Sequence, residues 1–432
     1  MKILFSNPPW FEVVDGSLRK GVRAGSRWPN TSPARSRQDH WTDGHYIPFP
    51  FFMAYASSYA AKHTGEEVVL RDSIALHEGY QAYYDYLKAA RFDMIFLESA
   101  TPCWEHDRGV IEKIHHYSPE SVLVMIGPIT VTRGQEILDT LPIAACIHGE
   151  YEKGSVRVIR GERGIIAHDM LSREEMNAAP FPTFNVNEAW RYFDACPHSP
   201  LMPHAQVWSS RGCPYACRFC SWPATMTNND PDGTGKRTVR HYSEAYMEAY
   251  LSEIVAKCGF RSIYFDDDTF NLGNKHVERM CKVMRKINLP WSAMCRADSS
   301  TPEIWTLMRD SGCYGVKVGF ESGNQELVDT VINKGLDLKE ARKTVIFLRK
   351  LGLTVHGTFT YGHPGETRAQ MLETRAFIRS MPLNSWQESG TALLDGTPMG
   401  SDAAAGKLGE GFSLERDGNL KFSAIREQLK HL

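Results

Sequence analysis

Residues 209 to 223 read SSRGCPYACRFCSWP. Cys213, Cys217 and Cys220 stand close together, and the next cysteine downstream is Cys258. A structural zinc site takes four ligands, commonly as two close pairs. A four-iron cluster also ordinarily takes four thiolates. A set of three leaves one coordination position open. The residues alone admit two readings: a cluster with one iron free to bind another molecule, or a zinc site completed by a distant histidine such as His204 or His241.

From residue 204 onward, the apolar runs AQVWSS, SIYFDDD, WSAMCRAD, YGVKVGFE, TVHGTFTYG and SWQESG read as strands. Between them lie the amphipathic segments SEAYMEAYLSEIVAKCG, KHVERMCKVMRKI, PEIWTLMRDSG, KEARKTVIFLRKLG and RAQMLETRAFIRSM, which read as helices. This predicts a partial (β/α)6 barrel over residues 204–400, with its chemistry at the carboxyl ends of the strands. The cysteine trio follows the first of these strands directly.

The first 150 residues alternate in the same way. KILFSNPP, EEVVLRD, DMIFLES, VLVMIGP and AACIHGE read as strands, separated by helical FFMAYASSYAAKH, QAYYDYLKAA, RGVIEKIHHY and GQEILDTL. The pattern predicts an α/β, doubly wound Rossmann-like domain over 1–150, with helices on both faces of a parallel sheet. Ligands of such sheets sit beyond the carboxyl ends of the strands, here at the turns NPPW, SATP, GPIT and HGEYE. Residues 151–203 read as a connector, with SVRVIRGERGIIAHD as a small hairpin around Gly161 to Gly164 and Pro-rich coil after it. Residues 401–432 form a polar C-terminal tail with no assigned function.

A chain of 432 residues accommodates two domains. Lys plus Arg is 49 against 51 for Asp plus Glu, and no run is strongly basic, so a nucleic-acid groove has no electrostatic footprint. The start MKILFSNPPW holds too short an apolar run for a signal peptide. YIPFPFFMAYASSYAA is too short and Pro-broken to span a bilayer. The expectation is a cytoplasmic protein with no transmembrane segment. Ten cysteines in that compartment are mostly reduced, so clustered ones point to metal or catalysis.

The C-x3-C-x2-C spacing, with the aromatic Phe219 just before the last cysteine, resembles the signature of the radical S-adenosylmethionine (SAM) superfamily. The resemblance implies a [4Fe–4S] cluster on the three cysteines, whose open iron chelates the amino and carboxylate groups of SAM. One electron then cleaves the sulfonium and gives a 5′-deoxyadenosyl radical. The protein's task is to exclude water and hold a substrate carbon nearby. The same resemblance extends to the later strand ends. Asp266, Asp267 and Asp268 in YFDDDTF match the position facing the SAM ammonium, since a buried ammonium needs an acceptor. Alone, they fit a solvated turn or a magnesium patch equally well. Arg296 in CRAD suits the SAM carboxylate or a ribose oxygen, or is a surface charge. Glu321 and Ser322 in GFESG match the ribose position, and Gly362 in YGHPGET the turn near adenine.

The first half resembles the cobalamin-binding domain that precedes the radical domain in one large, class B methyltransferase-like subgroup. The resemblance implies corrin contacts at Asn7, Pro8, Ser99, Thr101, Gly127, Pro128, Gly149 and Glu150. The sequence Gly149-Glu150-Tyr151-Glu152 departs by one residue from the usual Gly-Glu-Gly-Glu. The Asp-x-His-x-x-Gly motif for a lower cobalt ligand is absent, because Asp72 and His77 in DSIALHEG have the wrong spacing. A scaffold that binds nothing is the alternative. Cys103 is either near the cobalt face or a small buried hydrophobe. GTGKRTVRH reads as a solvated loop near the site, and AGSRWP (24–29) as a cap over a pocket or a packing element.

The implied activity is methylation of an unactivated carbon or phosphinate centre of a small-molecule substrate. It would use the cluster, SAM and cobalamin, with an electron donor such as flavodoxin or ferredoxin. The same architecture also supports cyclisation or rearrangement, as in hopanoid and pigment pathways. A metal-stabilised binding module without turnover is the alternative from another class.

Overall fold

The computed structural model describes residues 1–9, 11–14, 17–20, 35–36, 47–76, 78–192, 201–221, 226 and 238–408. His77, the segment AGSRWP and the start of GTGKRTVRH lie outside the described residues.

The chain opens with β1 (Lys2–Asn7), an antiparallel pair β2 (Phe11–Val14) and β3 (Ser17–Lys20), and the short β4 (Arg35–Ser36). Then α1 (Phe51–Thr64), β5 (Glu67–Asp72), α2 (Tyr80–Ala90), β6 (Met94–Glu98), α3 (Trp104–Tyr117), β7 (Val122–Ile126), α4 (Ile129–Thr140) and β8 (Ala145–Ile147) alternate as the sequence predicts. They are followed by α5 (Glu152–Ile159) and β9 (Gly164–Ile166). The sheet order is β5-β1-β6-β7-β8-β9, parallel throughout. Both faces are covered, as parallel sheets require. Leu4, Ile95, Leu97, Leu123 and Met125 pack with residues of α2, α3 and α4, while Ile3, Phe5, Phe96, Val124 and Ile126 join a larger core that runs on into the second half.

The expected hairpin at 155–169 is a correction. Residues Glu152–Ile159 are helical and Gly164–Ile166 adds a sixth parallel strand beside β8. The V-R-V alternation suits a strand as well as a helix, but Val156 and Ile159 bury the helix against the sheet and α1. The first domain therefore runs beyond residue 150 and takes the first part of the expected connector. The short α6 (Arg173–Ala178) follows, closed by a capping box between Ser172 and Glu175.

The second half begins with β10 (His204–Val207) and continues through β11 (Ser210–Arg211), β12 (Arg240–His241), α7 (Glu244–Cys258), β13 (Ser262–Phe265), α8 (Asn274–Ile287) and β14 (Trp291–Cys295). It closes with α9 (Pro302–Asp310), β15 (Cys313–Glu321), α10 (Leu338–Lys350), β16 (Thr354–Tyr361), α11 (Arg368–Ser380), β17 (Ser385–Gly390) and α12 (Pro398–Ala404). Six strands run parallel in the order β10-β13-β14-β15-β16-β17, in chain order with only the small β11–β12 pair set aside, which is the partial barrel. The antiparallel β4 adds to β17, reaching across from the start of the chain. Along the strands Ile263, Phe265, Ala293, Cys295, Val316, Val318 and Phe320 belong to the shared hydrophobic core. Intervening positions include the buried polar residues Ser292, Lys317 and His356. An interior lined this way suits a polar ligand better than a packed aliphatic plug. α12 crosses the expected boundary at residue 400.

Candidate active site between the two domains

The cysteine loop is held at its root by the end of β13. Asp267 accepts the Ser209 amide at 3.1 Å, the Ser209 hydroxyl at 2.9 Å and the Ser210 hydroxyl. Asp268 accepts the Gly212 amide at 3.0 Å. Gly212 itself has φ +93°, and a Cβ there would meet the Thr238 carbonyl at 2.2 Å. Further along, the Arg218 amide donates to the Ile332 carbonyl at 2.9 Å, and Asn333 Nδ2 to the Ala216 carbonyl at 3.2 Å. Arg218 also forms an ion pair with Asp402 of α12. The loop is thus pinned from three sides and its three thiols are carried on a prearranged backbone.

Cys217 is buried, while Cys213 and Cys220 are half-buried, and all the described cysteines are free thiols. Burial, with the Asp268 charge adding, pushes the Cys213 thiol up to about 11. The donor set is three soft thiols, which suits an iron–sulfur cluster. Arg296 and Lys334 lie within electrostatic reach of Cys217, placing positive charge where a thiolate-ligated cluster would be negative. The zinc reading loses its histidines. His204 packs edge-on to Tyr264, and His241 stacks on His276 with ring centroids 4.1 Å apart. Among the described residues no three metal-ligating side chains are grouped around one ion position.

Several expected SAM contacts turn out to be engaged within the protein. Phe219 packs on the main core. Asp266 is buried at the end of β13, and Asp267 is directed into the loop root rather than outward. Arg296 directs its fork at Asp298, with Nε and Nη2 at 2.9 and 2.7 Å, and donates to the Lys334 and Gly335 carbonyls. Its guanidinium lies 3.6 Å from the Tyr215 ring centroid, so it buttresses the cysteine loop. Ser322 bonds Thr374 of α11 at 3.1 Å and is fully buried. Glu321 sits at a register shift of β15 with φ +66°, and its carboxylate meets Lys334 Nζ at 3.0 Å. Strained backbone of this kind gathers at functional sites. Gly362, with φ +78°, donates its amide to Glu366.

Glu366 and His363 were not singled out from the sequence. Glu366 also accepts the His363 amide at 3.0 Å, and its Oε1 has no partner. Burial raises the Glu366 carboxyl to about 7 despite these backbone bonds. His363 lies beside Thr391 with Nδ1 at 3.2 Å from its hydroxyl, and burial lowers it to about 4 against the Glu321 charge. An unsatisfied buried carboxylate oxygen at the turn after β16 is a place for a polar ligand atom.

In the first domain, Asn7, Ser99, Gly127 and Gly149 end four adjacent strands, with Pro8, Thr101, Pro128 and Glu150 beside them. Asn7 donates to Asp72 at 2.9 Å, while its Oδ1 is buried and has no partner. Burial raises Asp72 to about 6. Gly127 is required by the fold itself, since a Cβ there would lie 2.3 Å from the Ser99 carbonyl; Gly149 would strike the His168 ring. Thr101 accepts the Asp395 amide at 2.9 Å, reaching the second half. Cys103 is a buried small residue against the Ala100 carbonyl.

Glu150 is engaged inside the protein. Its carboxylate, with that of Glu152, is buried against Arg211 and Arg240. Burial works to raise Glu150, but Arg240 and Arg211 outweigh it and hold it below the usual range. Burial raises Glu152 despite Arg211, and the Glu150 charge adds to the rise. Arg240, read as part of a solvated loop, is instead paired inside the protein. The signal for this was present in the spacing Glu150-x-Glu152, but sequence cannot show which cations meet it.

Residues 209–378 match the model of the Radical SAM superfamily. The chain is 24% identical over 381 residues to an uncharacterized methyltransferase of Pyrococcus horikoshii, covering 83% of this chain and 79% of that protein. It is 27% identical over 199 residues to the cytidylyl-2-hydroxyethylphosphonate methyltransferase of Streptomyces wedmorensis, covering 44% of this chain and 35% of that one. Among solved structures, the radical SAM methyltransferase TsrM of Kitasatospora setae, with cobalamin and [4Fe–4S] cluster bound, superposes with TM-score 0.67. The identity is 15%, over 83% of this chain and 72% of that one. The cobalamin-dependent radical enzyme OxsB, with aqua-cobalamin and SAM bound, superposes with TM-score 0.67 at 15% identity, over 87% of this chain and 62% of that one. These likenesses carry the two-domain fold, a Rossmann-like sheet followed by the barrel. The pinned three-cysteine loop lies inside the matched region, so residues 209–378 are similar to a radical SAM domain.

Proposed function

We propose that this protein is a cobalamin-dependent radical SAM methyltransferase acting on an unactivated carbon or phosphinate centre of a small molecule. The observation that carries it is the incomplete trio Cys213, Cys217 and Cys220, on a loop whose root is tied to the end turn of a Rossmann-like sheet through Arg211. The names of the two sequence relatives, both methyltransferases, favour methyl transfer.

When bound, the cluster and SAM supply a 5′-deoxyadenosyl radical, and cobalamin supplies the methyl carrier. This chain's residues supply the rest. The three cysteines ligate the cluster. Asp266 and Asp268 present carboxylates beside the loop for the SAM ammonium, and Glu321 lies on the ribose side. Glu366 and the Gly362 turn border the adenine end. Asn7, Ser99, Thr101, Gly127, Pro128 and Gly149 form the rim on which a corrin would rest, with Asn7 Oδ1 free to accept a hydrogen bond. The buried polar strand positions of the barrel, Lys317 and His356 among them, orient the substrate and keep water out. The reductive step calls for a donor such as flavodoxin or ferredoxin in a reducing cytoplasm. Among the described residues no helix is long and apolar enough to cross a membrane.

The test is anaerobic reconstitution with iron, sulfide and hydroxocobalamin, followed by desalting. Retained iron, acid-labile sulfide and corrin absorbance are expected, with 5′-deoxyadenosine released under reducing conditions. Methyl-labelled SAM given with candidate acceptors should pass label to product. Zinc without sulfide would sink the enzyme, and label that never leaves SAM would sink methyl transfer.

A further inference from the structure

Arg211 lies two residues before Cys213 on β11, whose antiparallel partner β12 carries Arg240 directly opposite. Both guanidiniums leave the barrel and enter the end turn of the Rossmann-like sheet. Arg211 Nη1 reaches Glu152 Oε1 at 2.6 Å and Glu150 Oε2 at 3.3 Å. Arg240 Nη1 reaches Glu150 Oε2 at 3.1 Å and also bonds the Leu171 carbonyl. The side chains of Arg211, Glu150 and Glu152 are at most 2% exposed. Arg211 Nε has no acceptor; aromatic faces surround the group instead, with Tyr55 4.4 Å from Cζ and Phe52, Trp208 and Tyr242 within 6 Å.

A buried ion cluster is a poor source of stability, because desolvation offsets most of the Coulomb gain. Its effect is geometric: an apolar interface tolerates sliding, whereas two guanidiniums and two carboxylates in a dry cage have one arrangement. Across the face, Asp395 ties the domains a second time through Arg133 at 2.8 Å and Thr101 at 2.9 Å. The first tie uses the turn at Glu150 and the second uses Thr101 and Arg133 of α4, and the first is continuous in sequence with the cluster loop.

We propose that Arg211 is a positioning residue, which through Glu150 and Glu152 fixes the cysteine loop relative to the end turn of the first domain and so sets the distance between the two metal cofactors. The proposal rests on the cobalamin reading above. Arg211 touches neither substrate nor reacting atoms; it acts through the loop and the turn.

The test uses the full chain loaded with cluster and with cobalamin in its cob(II) state. The main variant is Arg211→Met/Glu152→Gln, which fills the aromatic cage, leaves the Glu150–Arg240 pair intact and strands no charge. Arg211→Lys is the second, keeping the charge without the planar fork. Iron, sulfide and corrin are counted first. Spin relaxation of cob(II)alamin by the reduced cluster is then measured, since the enhancement falls steeply with distance. Wild type should give one relaxation rate. Both variants should load fully yet lose that single rate for a broad distribution, Arg211→Lys less so. Unchanged relaxation in loaded variants overturns the proposal and leaves the cobalamin reading standing. Loss of cluster with corrin retained in both variants also overturns it, since Arg211 would then serve the loop alone. A wild-type chain that retains no corrin removes the cobalamin reading and this proposal with it, and that arm contains no variant.

Discussion

Asp267 accepts both the amide and the hydroxyl of Ser209, at 3.1 and 2.9 Å, and so anchors the root of the cysteine loop to the end of β13. Burial raises its carboxyl to about 6, although the Ser210 and Ser209 bonds oppose the rise. Asp267→Ala strands those donors, and leaving a buried group unmade costs about 1–3 kcal/mol each. The apo protein should lose about 3 kcal/mol or more in urea unfolding. The reconstituted protein should bind less iron. Asp267→Asn keeps an acceptor and should retain most of both. An alanine variant with wild-type stability would show that the loop stands without this anchor.

The three cysteines should separate from the scattered ones. Cys213 and Cys220 are half-buried, so Cys213→Ala or Cys220→Ala should change apo stability by no more than about 1 kcal/mol. Each should abolish sulfide retention and 5′-deoxyadenosine release. Cys281 is fully buried in the core. Cys281→Ala should do the reverse, lowering stability by about 1 kcal/mol through its cavity while iron content stays at the wild-type level. Iron retained after loss of one of the trio would break the assignment.

The βα alternation was legible because strands and helices differ in apolar period, and β17 (Ser385–Gly390) and α9 begin where their patterns begin. The cysteine trio was legible because its spacing is local. What failed was long-range or ambiguous. VRVI fits two periods, so the strand–helix choice at Glu152–Ile159 depends on packing that only the folded sheet supplies. Ser322 and Glu150 stand at ligand-side strand ends, yet in the folded chain they meet Thr374 and Arg240 on distant elements, while Arg296 turns to Asp298 two residues on. A sequence gives residue type at a strand end but not the rotamer, and the rotamer decides whether a polar group faces a ligand or the protein.

The two glycines of the first domain's turns should respond differently to alanine. Gly127 has φ +105° and its Cβ would press on a backbone carbonyl that cannot move aside. Gly127→Ala should cost about 3 kcal/mol or more, strain and overpacking combined. Gly149 has φ +75°, but the obstacle is the His168 side chain, which can move aside by giving up its 3.0 Å bond to the Met226 carbonyl. Gly149→Ala should cost about 1–2 kcal/mol, mostly backbone strain. Adding His168→Ala should recover only the steric part. Equal costs at the two positions, measured by thermal unfolding, would contradict the close approach of Gly127 to Ser99.

Glu366 gives the apo protein a pH dependence whose sign is set by burial. Its carboxyl is raised from 4.5 to about 7, so in that window the folded chain binds more protons than the unfolded one. Stability from this group is therefore full below the ordinary value and declines as pH rises towards 7. A shift of this size is worth roughly 3 kcal/mol once both states are ionised. Glu366→Gln keeps an oxygen to accept the Gly362 and His363 amides and removes the titration. The variant should match wild type near pH 5 and exceed it near pH 8 by about 1–3 kcal/mol, the range left after relaxation and water access. Histidines lowered by burial, such as His363, titrate in both proteins and cancel in the difference. Parallel stability–pH curves for the two proteins would mean that the Glu366 carboxylate is already solvated.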